Sequence, residues 1–134
     1  MAGVLTIAAP SEIREHRTIL SVRRHFSGGC FVAFRYALTP TTGAFEVDGV
    51  ADLPAVDACW LRAVQLGAAE QEAYWAAEGS QLVGMRLTVL GFKFHAVDIN
   101  RAICEEAGRR VVDKVVEWLS TQAEPGAAPN GGCR

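Results

Sequence analysis

An α+β domain, with an antiparallel-rich sheet of four to five strands and its helices on one face, is what this 134-residue chain predicts. Three observations lead there. Half of the residues are hydrophobic, enough for one packed core but not for two full domains. Alternating, period-two segments dominate the first half of the chain. The period changes to that of a helix after Asp52, returns to two over residues 85–94, and ends in a long amphipathic helix.

The elements follow in order. Residues 4–9 read as a short strand ended by Pro10. Residues 17–26 alternate and form the first arm of a hairpin, with Ser27-Gly28-Gly29 as its turn. Residues 30–38 form the second arm, with Val32, Phe34, Tyr36 and Leu38 on one face. A turn centred on Pro40 spans 39–43, and a further short strand covers 44–50. Asp52 is the expected N-cap of a helix over 53–66, with Leu53, Val56, Trp60 and Val64 as its apolar stripe and Gly67 as its stop. A second short helix is expected over 68–78, ended by Gly79. On the strand over 85–94, Met85, Leu87 and Val89 share one parity and Leu90, Phe92 and Phe94 the other. Gly91 therefore marks a candidate bulge. The last helix is expected over 98–119, capped by Asp98, with Ile99, Ile103, Ala107, Val111, Val115 and Leu119 as its stripe. The expected order is β-β-β-β-α-α-β-α. The expected core is Leu20, Val32, Phe34, Val56, Trp60, Leu87, Val89, Ile103, Val111 and Val115. Residues 1–120 form the expected domain and 121–134 an expected disordered tail.

Composition narrows the function classes. No run approaches 18 apolar residues, and the first residues lack the charged and apolar regions of an export signal, so the expectation is a cytoplasmic chain without a membrane span. The net charge is −2, but it is unevenly spread. Residues 1–36 carry five Arg against two Glu, and residues 45–80 carry seven acids against one Arg. The basic third suits phosphate and the acidic middle repels it. The cysteines Cys30, Cys59, Cys104 and Cys133 are too far apart in sequence for a metal-ligand pair, so no metal is expected, and a cytoplasmic chain keeps its thiols reduced, so no disulfide is expected. Cys30, Cys59 and Cys104 read as small core fillers and Cys133 as exposed.

Little in the chain suits catalysis. There is no nucleophile elbow, P-loop, dinucleotide fingerprint or zinc-protease motif. Cys30 and His25 flank one turn and could meet as a nucleophile and base, but residues flanking a turn often meet by chance, and a structural Cys with a surface His is the preferred reading. Arg14, His16, Arg17, Arg23, Arg24 and His25 form a basic cluster before the Ser27-Gly28-Gly29 turn. Arginine pairs bidentately with phosphate and glycine admits a backbone, so this end could grip RNA. Arg23 and His25 share a strand face, and Lys93 and His95 approach the same end if the last strand runs beside the hairpin. Tyr74 and Trp75 project in different directions from a short helix, which leaves one ring as an interface candidate.

Three stretches resemble a known family. Ser27-Gly28-Gly29 followed by an apolar strand ending near Pro40 and Gly43 is similar to the first hairpin of the fourth domain (domain IV) of translation elongation factor G. Asp52-Leu-Pro-Ala-Val-Asp57 is similar to that family's proline-led helix. Leu82-Val-Gly84, a strand to His95, and Val97-Asp98 before a helix are similar to its last strand–loop–helix. The resemblance covers roughly residues 17–119 in order. It implies the fold of ribosomal protein S5 domain 2, with a left-handed β-α-β crossover, and an RNA-facing tip of two loops. The chain departs from the family at that tip. The family's Arg-Gly-Gln-Tyr stretch after Gly29 is missing, the loop near His95 is shorter, and His95 matches either the strand-end or the tip histidine. Residues 68–78 stand where the family has a tight turn.

The resulting expectation is a stand-alone, non-catalytic module without a GTPase or cofactor. It binds ribosomal or other structured RNA, or a protein partner, and no DNA or membrane. The candidate contacts are Arg23, His25, Ser27, Gly28, Gly29, Lys93 and His95. The alternatives are a homo-oligomeric scaffold, such as a homodimer that buries Tyr74 or Trp75 and an exposed sheet edge, and a small-molecule enzyme on the same fold class.

Overall fold

The computed structural model describes residues 3–21, 29–94 and 99–123. The elements are β1 (Gly3–Leu5), β2 (Arg14–Ser21), β3 (Gly29–Ala44), β4 (Glu46–Gly49), α1 (Ala55–Ala77), β5 (Ser80–Phe94) and α2 (Arg101–Ala123). The architecture is α+β, with a curled mixed sheet and two helices. β2 pairs antiparallel with β3, and β3 antiparallel with β5. β1 adds in parallel to the start of β5, from Gly3↔Ser80 to Leu5↔Leu82. β4 runs parallel to β5 over residues 86–89, where β3 already holds one edge, so β4 occupies the other. β4, α1 and β5 thus make a parallel β-α-β unit.

Direct cross-strand partners share a face, so the register sorts the side chains. His16, Phe34 and Phe92 form one row; Thr18, Val32 and Phe94 form another; Tyr36 stands beside Val89 and Leu38 beside Leu87. This side is buried: Val32, Leu38, Leu87 and Val89 are fully covered, and both helices join them in one core. Phe34 is its centre, with ring centroids 5.5 Å from His16, 6.0 Å from Tyr36 and 5.6 Å from Phe92. The bulge expected at Gly91 is present. The pairing steps from Arg35↔Gly91 to Tyr36↔Val89, skipping Leu90, and so brings Val89 and Phe92 onto the same side despite their opposite parity.

Several boundaries differ from expectation. The turn expected over 39–43 is a bend within β3, which runs on to Ala44. Pairing shifts between Pro40 and Ala44, where Gly43 has a φ of +103° and, across the pair, Gly84 one of +70°. Left-handed glycines let the ladder absorb extra residues instead of ending. Gly29 is not a turn residue: it pairs with Ser21 in the ladder. The remaining turn residues lie outside those described. β1 stops at Leu5, and β5 begins at Ser80, five residues earlier than expected.

The two helices expected over 53–66 and 68–78 are one, α1, and Gly67 is inside it. The physical reason is the packing of α1 on α2. A Cβ on Gly67 would collide with the Glu105 backbone carbonyl, and one on Gly108 with the Val64 carbonyl. The two glycines let the helices touch backbone to backbone. The second half of α1 is tied to α2 as well: Asp113 Oδ1 accepts from Gln71 Nε2 at 2.7 Å and from Trp75 Nε1 at 2.8 Å, and Arg109 pairs with Glu70 at 2.8 Å. Gly79, at φ +99°, ends the helix as expected.

The expected caps also change. Pro54 holds the N-cap position of α1 without a side-chain bond, and Asp52 is exposed outside the helix. Asp57, in the first turn, supplies the negative charge there. On α2 the Asn100 side chain caps, accepting from the Ile103 amide at 2.9 Å; Asp98 lies outside the described residues. The α2 stripe is buried from Ile103 to Leu119, and the helix continues to Ala123, past the expected end of the domain at 120. Val56 is 56% exposed and is not core, because α1 buries Asp57, Ala63, Val64, Gly67 and Ala68 instead. Cys59 is likewise exposed, whereas Cys104 is buried.

Candidate nucleic-acid interface

The side of the sheet away from the helices carries the odd-numbered residues of β2 and β3 with their partners on β5. Arg17, Ala33 and Lys93 form one row across three strands, and Glu15, Arg35 and Gly91 the next. Arg17, Arg35 and Lys93 are exposed, while Ala33 between them is fully buried and Gly91 has no side chain. Three long cations therefore rise around small residues near the start of β3 and the end of β5. Among the described residues Arg35 and Lys93 have no ion-pair partner. Arg17 meets Glu15 at 3.6 Å, a loose pair with both side chains solvated. The far end of the same side is different in charge: Glu46 and Asp48 pair in register with Arg86 and Thr88, and Arg86 is bound to Glu46 at 3.1 Å.

Of the residues singled out from sequence, Lys93 stands in this group and Gly29 opens β3. Arg23, His25, Ser27, Gly28 and His95 lie outside the described residues, and with them the Cys30–His25 pairing. Lys93 opposes Ala33 four positions into β3, so β5 does run beside the hairpin. Arg17 and Arg35 lie far from Lys93 in sequence, and only the strand register aligns the three. An alternation of Arg17, Arg35 and Lys93 with apolar residues was the signal available.

His16, counted with the basic cluster, faces the other way. It is 6% exposed, its Nε2 lies 2.8 Å from the Thr18 hydroxyl, and its ring packs on Phe34. Burial, then Lys114 and Arg110 of α2, push its pKa down to about 4, so the ring is neutral near pH 7. Burial, then Glu105, push the Cys104 thiol up to about 12, which makes it an unreactive core group. Tyr74 is 50% exposed and sits edge-on to Trp75 at 5.3 Å, while the Trp75 indole is bonded to Asp113. No described helix is long and apolar enough to cross a membrane.

No family model matches the chain, and no curated protein does. Among solved structures, the chain is similar to a crystal structure from Thermus thermophilus whose name describes no function. The TM-score is 0.61 and the identity 16%, over 85% of this chain and 16% of that one. The likeness is one of fold, to a segment of a much longer protein.

Proposed function

We propose that the chain is a non-catalytic module that binds structured RNA through the uncovered side of β2, β3 and β5. The observation that carries this reading is the grouping of Arg17, Arg35 and Lys93 on one open face. It lies at the end of the sheet from which the basic segment holding Arg23 and His25 continues in sequence. Cations on an open, small-residue surface suit phosphates, which set affinity and position without reading sequence. The mixed charges at Glu46, Asp48 and Arg86 restrict that contact to one end of the face.

The finer fold assignment belongs to the same proposal. The order β-β-β-β-α-β-α and the parallel β4–α1–β5 unit are consistent with a domain IV-like, ribosomal protein S5 domain 2-like fold. So is a likeness to 16% of a longer chain, where the fold is one part among others. The ribosome is the RNA that the resemblance suggests, and the cytoplasm the place of action. Self-association through Tyr74 is the second reading, supported by that ring's exposure. It draws less from Trp75, whose indole is already engaged with α2.

Co-sedimentation with ribosomes at low and high salt, combined with a mass measurement, tests the proposal. The module should pellet with ribosomes at low salt and release at high salt. A particle of twice the monomer mass that ignores RNA at physiological salt would replace it with the second reading.

A further inference from the structure

On the helix side, remote from the open sheet face, two adjoining cavities share Arg14 and Trp118. The larger, about 510 Å³, lies between the β1–β2 connection and the end of α2, with Ile7, Pro10 and Leu119 among its walls. The smaller, about 350 Å³, is bordered by Tyr36 and Lys114. Both fall in or near the size range of small-molecule sites. The β1–β2 connection is tied to the sheet at Ser11. The Ser11 amide donates to the Leu38 carbonyl at 2.8 Å, and the Leu38 amide donates to Ser11 Oγ at 2.9 Å, so Ser11 is held against β3 ahead of the first residue of β2.

Arg14 stands between the cavities. Its guanidinium carbon lies 4.3 Å from the centre of the Trp118 ring, which holds the side chain in place from one side. Its Nε is buried and has no hydrogen-bond partner among the described residues. A buried donor on a charged group is costly to leave unpaired. Two acids, Glu12 and Glu117, also line the cavities, one in each, and neither forms an ion pair with Arg14. Lys114 adds a second cation one helical turn before Trp118. Tyr36, across the strand pair from Arg14, adds a hydroxyl whose pKa burial raises, so it is a donor at neutral pH.

We propose that this cleft binds a small organic anion, a phosphate or carboxylate on a compact apolar body. Arg14 anchors the anion, Lys114 and the Tyr36 hydroxyl assist, and the wall of Ile7, Pro10 and Leu119 receives the apolar part. The proposal stands apart from the RNA reading, since the two use opposite sides of the sheet.

The test is an NMR titration of the full chain with phenyl phosphate, benzoate and inorganic phosphate in parallel. Phenyl phosphate or benzoate should shift the Trp118 indole and Arg14 Nε signals saturably in about the millimolar range, which separates the phosphate from the carboxylate source. Inorganic phosphate should bind more weakly than phenyl phosphate, for want of the apolar contact. Arg14→Gln should weaken binding about 10-fold or more. Since that variant could disturb the fold, two exposed positions keep the test open. Lys114→Gln should weaken binding a few-fold, and Glu12→Gln, which removes an opposing charge, should tighten it. No saturable shift with any of the three probes, or an unchanged affinity in both Lys114→Gln and Glu12→Gln, would overturn the proposal.

Discussion

Phe34 and His16 show how much one position decides. Phe34 is 1% exposed at the centre of an aromatic row, so Phe34→Ala removes a ring whose neighbours cannot follow it. Its loss should cost roughly 3–5 kcal/mol in denaturant unfolding, and a loss below about 1 kcal/mol would contradict the strand register. Val56→Ala, on the exposed side of α1, should stay within about 0.5 kcal/mol. His16 makes a pH prediction. Its native pKa of about 4 lies below its ordinary value of 6.5, so folding favours the neutral ring. Its contribution is fully present above pH 6.5 and is lost as the pH falls toward 4, because the unfolded chain takes up a proton that the native ring refuses. The loss is at most about 1.4 kcal/mol per pH unit. Urea unfolding between pH 7 and 4 should fall more steeply for the native chain than for His16→Gln; parallel profiles would mean that His16 is not buried. The burial of Phe34 and of the α2 stripe was legible from alternation and helical spacing alone. That of His16 was not, because a histidine among arginines reads as part of a solvated cluster until β2 is placed beside α2.

The α1–α2 pair is where local rules misled most. Gly67 after an amphipathic run signals a helix end, and in isolation its replacement by Ala should stabilise a helix by about 1 kcal/mol. Here the sign reverses. A methyl group at Gly67 or Gly108 meets the backbone of the other helix, and backbone cannot rotate away. Gly67→Ala and Gly108→Ala should each destabilise by about 1–3 kcal/mol or more, measured by thermal or denaturant unfolding. A gain in stability at either site would show that the helices do not cross there. The strand bend over 39–43 teaches the same lesson: Pro40 and Gly43 look like punctuation, but β5 continues to pair on the far side and carries the ladder through. The Gly91 bulge, in contrast, could be read in advance, since a switch of apolar parity within one strand has few other solutions.

At the scale of the whole molecule, one side of the sheet carries both helices and no described element covers the other, and the proposed RNA contact depends on that asymmetry. The fold class was legible because period and order survive in sequence. The site was legible only in part. Lys93 could be named, but Arg17 and Arg35 join it through a register spanning some 76 positions of chain, which no local pattern encodes. The most direct measurement is the salt dependence of binding to a structured RNA, for the native chain and for Arg35→Ala/Lys93→Ala. RNA contact through this face requires binding whose logarithm falls linearly with the logarithm of salt concentration, and a slope flatter by roughly two units in the double variant, with affinity reduced alike for unrelated RNA sequences. Equal slopes for the two proteins, or no detectable binding by the native chain at physiological salt, would contradict it.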